Sequence, residues 1–514
     1  MQTSIVNVKS RAQSAVGRIA RHEGLLHALY ALMATVPAWI VRHPPLQDLP
    51  FHLATINVLA HYGDPAWGYA QTYELTLGRT QYLVYYGLAV VLSKLVGVFS
   101  ANLMLMCVYL AGTPLTVMYV LRGLKVDARA AWFTIPLLYN VMWQFGLLPF
   151  VFGIPIGIFA VGLALRDISE PSPKRALALA AAAFVLFFVH IFPFVLFGLS
   201  YIALFPWSRP RVWLRALMPM LPAAGVMASW SLFTLAGRTA VGLDAQNTQD
   251  PVLPWREAYA QIFQWLGDIF RDDSDLLVWK LVVGLAVLST IVALATDSSA
   301  RRGYRLVLLS LVCAVLYFVT PQSRGPIYWL YSQRFPVLLV MCASLLVRLP
   351  RGAFGHVAAL CGWAVSCFAV VNTAQHYVAF ETDELGDIDG AIDSIPPGHK
   401  VAALVYDKWS TIMHWAPYLH MGSYYQAQKP GLVQFAYTGY DHWPFTYRVG
   451  HEPPPGTRAP LRWEWMPEAV SVQRELVPFY DDVLTRGPGF APPPGTYVKT
   501  GTFDRWTVWH RASQ

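Results

Sequence analysis

Long apolar runs alternate with short polar stretches over most of the chain. The runs fall near residues 24–42, 81–99, 101–121, 130–146, 148–165, 176–190, 191–206, 215–236, 276–296, 305–320, 335–348 and 356–379. A helix needs about 20 apolar residues to cross the roughly 30 Å hydrocarbon core of a bilayer. The apolar positions in these runs are continuous rather than alternating, so the spans they predict are helices and not barrel strands. The pattern predicts an α-helical polytopic membrane protein of about 11–13 transmembrane helices. Residues 1–379 form the helical domain, with a large first loop at 43–80.

Beyond residue 380 the periodicity changes. The stretch GHKVAALVYDK predicts a strand carrying Val401, Leu404 and Val405. GTYVKTGTFDRWTVWHR alternates about a Thr-Gly pair, is rich in β-branched and aromatic residues, and predicts a hairpin. DELGDIDGAIDSIP has helical spacing through Leu385, Ile388 and Ile392, and the acidic run from Glu381 to Asp393 reads as a solvated helix face. Residues 380–514 are therefore expected to form a small soluble α/β domain.

Composition agrees with the pattern. The 514 residues are 55% hydrophobic, 14% aromatic and only 13% charged, against about 25% charged in soluble globular domains. The net charge of +8 is no sign of nucleic-acid binding. Basic residues cluster between apolar runs, at Arg122/Lys125/Arg129, Arg166/Lys174/Arg175, Arg209/Arg211/Arg215, Arg301/Arg302/Arg305 and Arg348/Arg351, as cytoplasmic loops do. A basic start (Lys9, Arg11, Arg18, Arg21) leads into the first run without a cleavage site, which predicts a signal anchor with its N-terminus inside. The segments left outside are 43–80, the turn at 140–149, the turn at His190, 237–275, 321–334 and everything after 380. This assignment closes only if 81–121 makes one effective crossing. Either 81–99, which contains Lys94, is re-entrant or interfacial, or the Arg122 cluster lies outside. The expected location is an inner or plasma membrane with the C-terminal domain extracytoplasmic. All five cysteines (Cys107, Cys313, Cys342, Cys361, Cys367) lie in apolar runs and read as small buried hydrophobes.

Ionisable and polar groups at the mouths of spans are costly, which makes them functional candidates. Most fall on the predicted outer side. The stretch HPPLQDLPFHLA supplies Asp48 and His52, and Glu74 follows in the same loop. Gln144 lies in the next outer turn, and His190 in the break FFVHIFPF, where Pro193 interrupts the helix. TPQSRGPIYWLYSQRFP offers Arg324, Tyr328 and Arg334, and Lys280 opens the 276–296 run. Carboxylate and imidazole suit a general base or a divalent cation. Arginine forks suit phosphate. The sequence requires no cofactor; Mg or Mn held by Asp48 and His52 is an open option.

The layout resembles the GT-C type of polytopic glycosyltransferases, the group that contains protein O-mannosyltransferases and aminoarabinose transferases. The likeness rests on an acidic residue opening the first outer loop (QDLPFH), many spans, a histidine-containing break (FVHIFPF), a late outer loop with arginine before a span (SQRFP), and an outer C-terminal domain. It departs in having Leu49 where many members have a second acidic residue, and in placing His43-Pro44-Pro45 before Asp48. The resemblance implies a polyprenyl-phosphate sugar donor, membrane lipids as neighbours and transfer to an acceptor hydroxyl at the extracytoplasmic face. It assigns Asp48 to catalysis, with His52 or His190 positioning the acceptor. Arg324 and Arg334 meet the phosphate. Tyr328, Glu74, Gln144 and Lys280 are further substrate-binding candidates. No G-x-G-x-x-G after a strand and no P-loop appears, as expected for a lipid-linked donor. The rival readings are a transporter or flippase, which predicts repeated halves, and a non-catalytic scaffold presenting the C-terminal domain. No repeat is visible.

Overall fold

A computed structural model describes residues 23–241, 243, 251–323, 330–434, 438, 440, 442–453 and 463–512. The basic N-terminal tail lies outside the described residues. Among them, five helices are long and apolar enough to cross a membrane: Val98–Gly123, Leu148–Ser169, Pro210–Phe233, Ser274–Thr296 and Ala353–Glu384. Shorter apolar helices include α1 (Leu49–Ala60), α2 (Leu83–Val96), Ile191–Leu204 and Arg334–Ser344. Large apolar side chains such as Leu288, Ile291, Leu308, Val315 and Leu360 stand exposed on the outer helix faces. Asn102, Thr113, Asn140 and Ser366 are buried instead. An apolar exterior around a partly polar interior is what a lipid solvent selects.

The run at 130–146 is not one continuous helix. It forms short pieces at Ala128–Phe133, Ile135–Leu138 and Val141–Gln144. Every residue from 130 to 146 is buried, so the irregular backbone never meets lipid. Side chains satisfy the groups the breaks set free. Tyr109 Oη donates to the Leu138 carbonyl at 2.9 Å, and Tyr30 Oη accepts from the Ile135 amide at 3.1 Å. Asn140 Nδ2 donates to the Leu137 carbonyl at 3.0 Å while its Oδ1 caps the Trp143 amide at 3.1 Å.

The basic loops gather at one end of the bundle. Arg302 donates to the Lys125 carbonyl at 3.0 Å, Arg348 to the Arg302 carbonyl at 2.8 Å, and Arg129 lies 2.6 Å from His356. The Arg122–Arg129 loop therefore shares an end with the later basic loops. That leaves 81–99 as the segment that does not cross. Helix α2 has 14 residues, about 21 Å of rise. It lies alongside α1: Tyr86 Oη is 2.8 Å from His52 Nδ1, and Lys94 Nζ reaches the Ala60 carbonyl.

At the opposite end the C-terminal portion builds a mixed five-stranded sheet. Its strands, after β1 (Tyr73–Leu75) in the first loop, are β2 (Lys400–Val405), β3 (Leu432–Val433), β5 (Asp482–Arg486), β6 (Tyr497–Phe503) and β7 (Trp506–Arg511), ordered β3-β2-β5-β7-β6. β2 is parallel to β3 and β5; β5–β7 and β7–β6 are antiparallel. The expected hairpin forms, but its turn is at Asp504 and Arg505, with Asp504 in the left-handed region at φ 53°. The Thr-Gly pair is instead at a bulge between Lys499 and Gly501, where a glycine weakens strand regularity. β4 (Phe445–Tyr447) leaves this sheet and pairs antiparallel with β1. The outer loop at 237–275 also joins, through a bridge between Phe270 and Met413.

The acidic run after residue 380 is not merely a solvated face. Helix Ile388–Ser394 buries Ile388 and Ile392 as expected, yet Glu384 is 6% exposed and accepts from Tyr418 Oη at 2.7 Å. Glu381 accepts the amides of Arg42 and His43, both at 2.8 Å. Glu381 thus fastens the C-terminal portion to the end of the first helix, while Glu384 ties that portion together internally.

Candidate active site

Asp48 stands at the N-cap position of α1, but its carboxylate makes no cap bond; Pro50 removes one of the amides a cap would use. The backbone is held from the neighbouring turn: the Gln47 and Asp48 amides donate to the Gln144 and Phe145 carbonyls at 3.1 and 3.0 Å. Gly146 makes this approach feasible. Its φ is 74°, and a Cβ there would sit 3.0 Å from the amide nitrogens of both Asp48 and Leu49. Gln144 supports the same loop by donating from Nε2 to the Pro45 carbonyl.

A cavity of about 100 Å³ opens beside Asp48. His52, His190 and Arg334 line it too, so four of the sequence candidates meet in one place. His52, one turn along α1, has its Nδ1 at 2.8 Å from Tyr86 Oη. Burial pulls its pKa down to about 4, with Asp48 opposing, so this ring is neutral near pH 7. His190 caps helix Ile191–Leu204, its Nδ1 accepting from the Phe192 amide at 3.2 Å. A neutral ring that accepts at Nδ1 carries its proton on Nε2. Arg334 Nη1, 3.5 Å from that Nε2, is thus in contact with it rather than hydrogen-bonded. Arg334 starts helix Arg334–Ser344 and is 8% exposed, with its guanidinium carbon 4.9 Å from the Phe192 ring centre and 5.7 Å from that of Phe150.

The C-terminal portion completes the wall with Tyr440, His442 and Trp443. Tyr82 stacks on His190 at 5.4 Å and meets the edge of His442 at 5.3 Å. Burial and the nearby Arg334 hold His442 down at about 3, so it too is neutral. His420 lies 3.0 Å through Nδ1 from Asp48 Oδ1, and its Nε2 meets Glu464 Oε1. Its ring packs 3.9 Å from that of Phe51. Burial alone would discharge His420, but Glu464 and Asp48 outweigh it and raise its pKa to about 9. Burial also pushes the Glu464 carboxyl up, with the imidazolium opposing. The arrangement is a buried carboxylate–imidazolium–carboxylate chain that ends on Asp48.

The other candidates fall elsewhere. Glu74 is exposed on β1 opposite Thr446, Lys280 is exposed on helix Ser274–Thr296, and Gln144 is buried behind Asp48 without lining the cavity. Arg324 and Tyr328 lie outside the described residues. Among the described residues, the groups of three with metal-ligand spacing are His399/Asp482/His510 and Asp268/Asp273/His414, neither of which includes Asp48 or His52. Tyr82, His420, His442 and Glu464 were not legible as site residues.

No protein-family model and no curated protein matches the sequence. Solved structures do match. The crystal structure of ArnT from Cupriavidus metallidurans in the apo state aligns at TM-score 0.55 and 11% identity, over 96% of this chain and 98% of that one. The fold is that of the GT-C glycosyltransferases. The cryo-EM structure of arabinofuranosyltransferase AftD from Mycobacteria aligns at TM-score 0.50 and 13% identity. That match covers 96% of this chain and 42% of the longer AftD chain. The layout inferred from QDLPFH, FVHIFPF and SQRFP thus holds at the level of the fold, and the chain is a membrane protein of this architecture.

Proposed function

We propose that the protein is a membrane glycosyltransferase that moves a sugar from a polyprenyl-phosphate donor to an acceptor hydroxyl at the extracytoplasmic face. The observation that carries this reading is the single cavity shared by Asp48, His52, His190 and Arg334. The GT-C fold supports it, and so does a second, mostly apolar cavity lined by Phe192, Tyr331 and Phe335 next to Arg334. An isoprenoid tail suits such a lining, and in this reading its phosphate lies at the guanidinium. In the proposed reaction Asp48 takes the proton of the acceptor hydroxyl. The acceptor oxygen then forms its bond to the anomeric carbon as the carbon–oxygen bond to phosphate breaks. Polyprenyl phosphate leaves with the electron pair, and Arg334 stabilises the charge it gains. His420, braced by Glu464, is a positioning residue set beside one oxygen of Asp48. His52 and His190, as neutral rings, orient the acceptor by hydrogen bonding. Arg324 and Tyr328 are proposed to meet the donor from the adjoining loop, and Mg or Mn at Asp48 and His52 is an added option. With the basic end inside, the site and the sheet both face outward from an inner or plasma membrane.

The test is reconstitution of the full chain in vesicles with pentosyl and hexosyl polyprenyl phosphates, following release of polyprenyl phosphate. Asp48→Asn is expected to insert normally and to lower the release rate by about 10²–10⁴-fold, the usual worth of a general base. Release by Asp48→Asn at the unmodified rate overturns the proposal. Transbilayer movement of the intact donor without release would establish the flippase reading in its place.

A further inference from the structure

The C-terminal sheet carries a second polar constellation, remote in sequence from every cavity residue except those of its own portion. Asp482 opens β5, stands opposite His510 on β7, and adjoins His399 at the entry to β2. Its side chain is 2% exposed, and its two oxygens each face one imidazole: His399 Nδ1 at 2.5 Å and His510 Nδ1 at 2.8 Å. The two rings are nearly parallel, 5.6 Å apart. One ligand atom from each residue lies within 4.8 Å of the other two.

We infer that His399, Asp482 and His510 form a binding site for a divalent ion of the zinc class. Two imidazoles and a carboxylate make a nitrogen-rich donor set, which suits zinc and its neighbours and not the all-oxygen preference of Mg or Ca. Each oxygen of the buried carboxylate meets one imidazole, and the neighbouring cations are engaged elsewhere. Arg511 pairs with Asp481 at 2.8 Å, and Lys400 sits 4.2 Å over the Phe479 ring. The backbones are fixed before any ion arrives. Tyr425 Oη accepts from the His399 amide at 3.0 Å, the Leu432 amide donates to the His399 carbonyl at 3.0 Å, and the other two residues sit in the ladder. Ligand atoms around a tetrahedral zinc sit about 3.3 Å apart. Seating the ion therefore moves the rings outward by a fraction of an ångström, and His510, with 47% of its side chain exposed, has room to move. The exposed side leaves a position for water. Such an ion ties β7 and the entry of β2 to β5, so its role is structural and independent of sugar transfer.

The experiment uses the full chain in detergent, with any affinity tag removed. It is stripped with chelator, given zinc chloride, desalted and analysed by mass spectrometry for metal. The wild type is expected to retain about one zinc per chain more than either Asp482→Asn or His510→Gln. Cobalt in place of zinc should give visible absorption bands that both variants lose. His510→Gln changes a half-exposed side chain, so it keeps the test open if Asp482→Asn misfolds. Equal zinc retention by wild type and His510→Gln, or cobalt bands that survive in it, overturns the assignment.

Discussion

At the scale of single residues, the site depends on how the backbone under Asp48 is held. Gly146 is the tightest point, because φ 74° disfavours any side chain and a Cβ would press on two amide nitrogens. Gly146→Ala is expected to cost about 1–3 kcal/mol and to lower turnover, read as a fall in melting temperature together with a fall in kcat. His420 gives a pH dependence. Its pKa is raised to about 9 by Glu464 and Asp48 against burial, so the stability from its ion pairs is fully present below pH 6.5, the ordinary value. That stability is lost as pH rises through about 9. The melting temperature of the wild type should therefore drop between pH 7 and 10 more than that of His420→Gln; parallel curves would show that the imidazolium contributes nothing. These two residues also mark how far the sequence could be read. Asp48, His52, His190 and Arg334 were legible because each sits among apolar neighbours, where an ionisable group carries a visible cost. His420 and Glu464 lie in a stretch of ordinary polar composition, where nothing local distinguishes a buried histidine from a solvated one. Glu74 and Lys280 were drawn in by their proximity in sequence to span mouths, and no charge pattern says which way a side chain on a strand or helix will face.

At the scale of elements, the informative pieces are those that break the regular helix. The hydropathy of 81–99 equals that of a span, yet α2 runs beside α1, which lies within the first loop. Length and hydropathy alone cannot separate an interfacial helix from a span, but the conflict between basic loops had already pointed at this segment. Leu95 is 78% exposed on α2. A spin label at Leu95→Cys is expected to report headgroup depth, whereas a label at Leu288→Cys on helix Ser274–Thr296 should be quenched by oxygen in the hydrocarbon. Hydrocarbon depth at both positions would restore 81–99 as a crossing. The run at 130–146 shows the opposite limit. Its apolar character was legible, but its breakage was not, because the breaks rest on partners such as Tyr30 and Tyr109, whose contribution appears only once the chain is packed. The strand at 400–405 was legible from Val401, Leu404 and Val405, while the hairpin turn moved from Thr-Gly to Asp504 because the ladder continued past the glycine as a bulge.

At the scale of the whole molecule, the cavity exists only while the C-terminal portion is seated on the helical end, since Tyr440, His442 and Trp443 come from one and Asp48 from the other. Its fastenings among the described residues include the β1–β4 pair, the Phe270–Met413 bridge, the His420–Asp48 contact and the ionic clasp at His43. The clasp titrates, as the His420 contact does. His43 is 3% exposed, with Nδ1 3.5 Å from Glu381 and Nε2 3.4 Å from Asp389, which also pairs with Arg42 at 3.1 Å. Burial opposes the imidazolium, but Asp389 and Glu381 raise its pKa above 6.5. Burial likewise opposes the carboxylates, and His43 takes both below their ordinary values of 4.5 and 3.8. The histidine's contribution is complete below pH 6.5 and fades as pH rises through its raised value. The carboxylates' contribution is complete above about pH 4.5 and fades as pH falls. Seating should therefore be firmest between about pH 4.5 and 6.5 and loosen on both sides. In His43→Gln the ring is replaced by a neutral amide that cannot follow pH, so the dependence around that window should flatten. Proteolysis at the junction near residue 380, measured against pH in membranes, reads this directly. Wild type is expected to be cut more slowly at pH 5.5 than at pH 8.5, and His43→Gln at similar rates at both. A wild type cut equally fast at the two values would mean that the strand pair and the bridge seat the portion without the clasp.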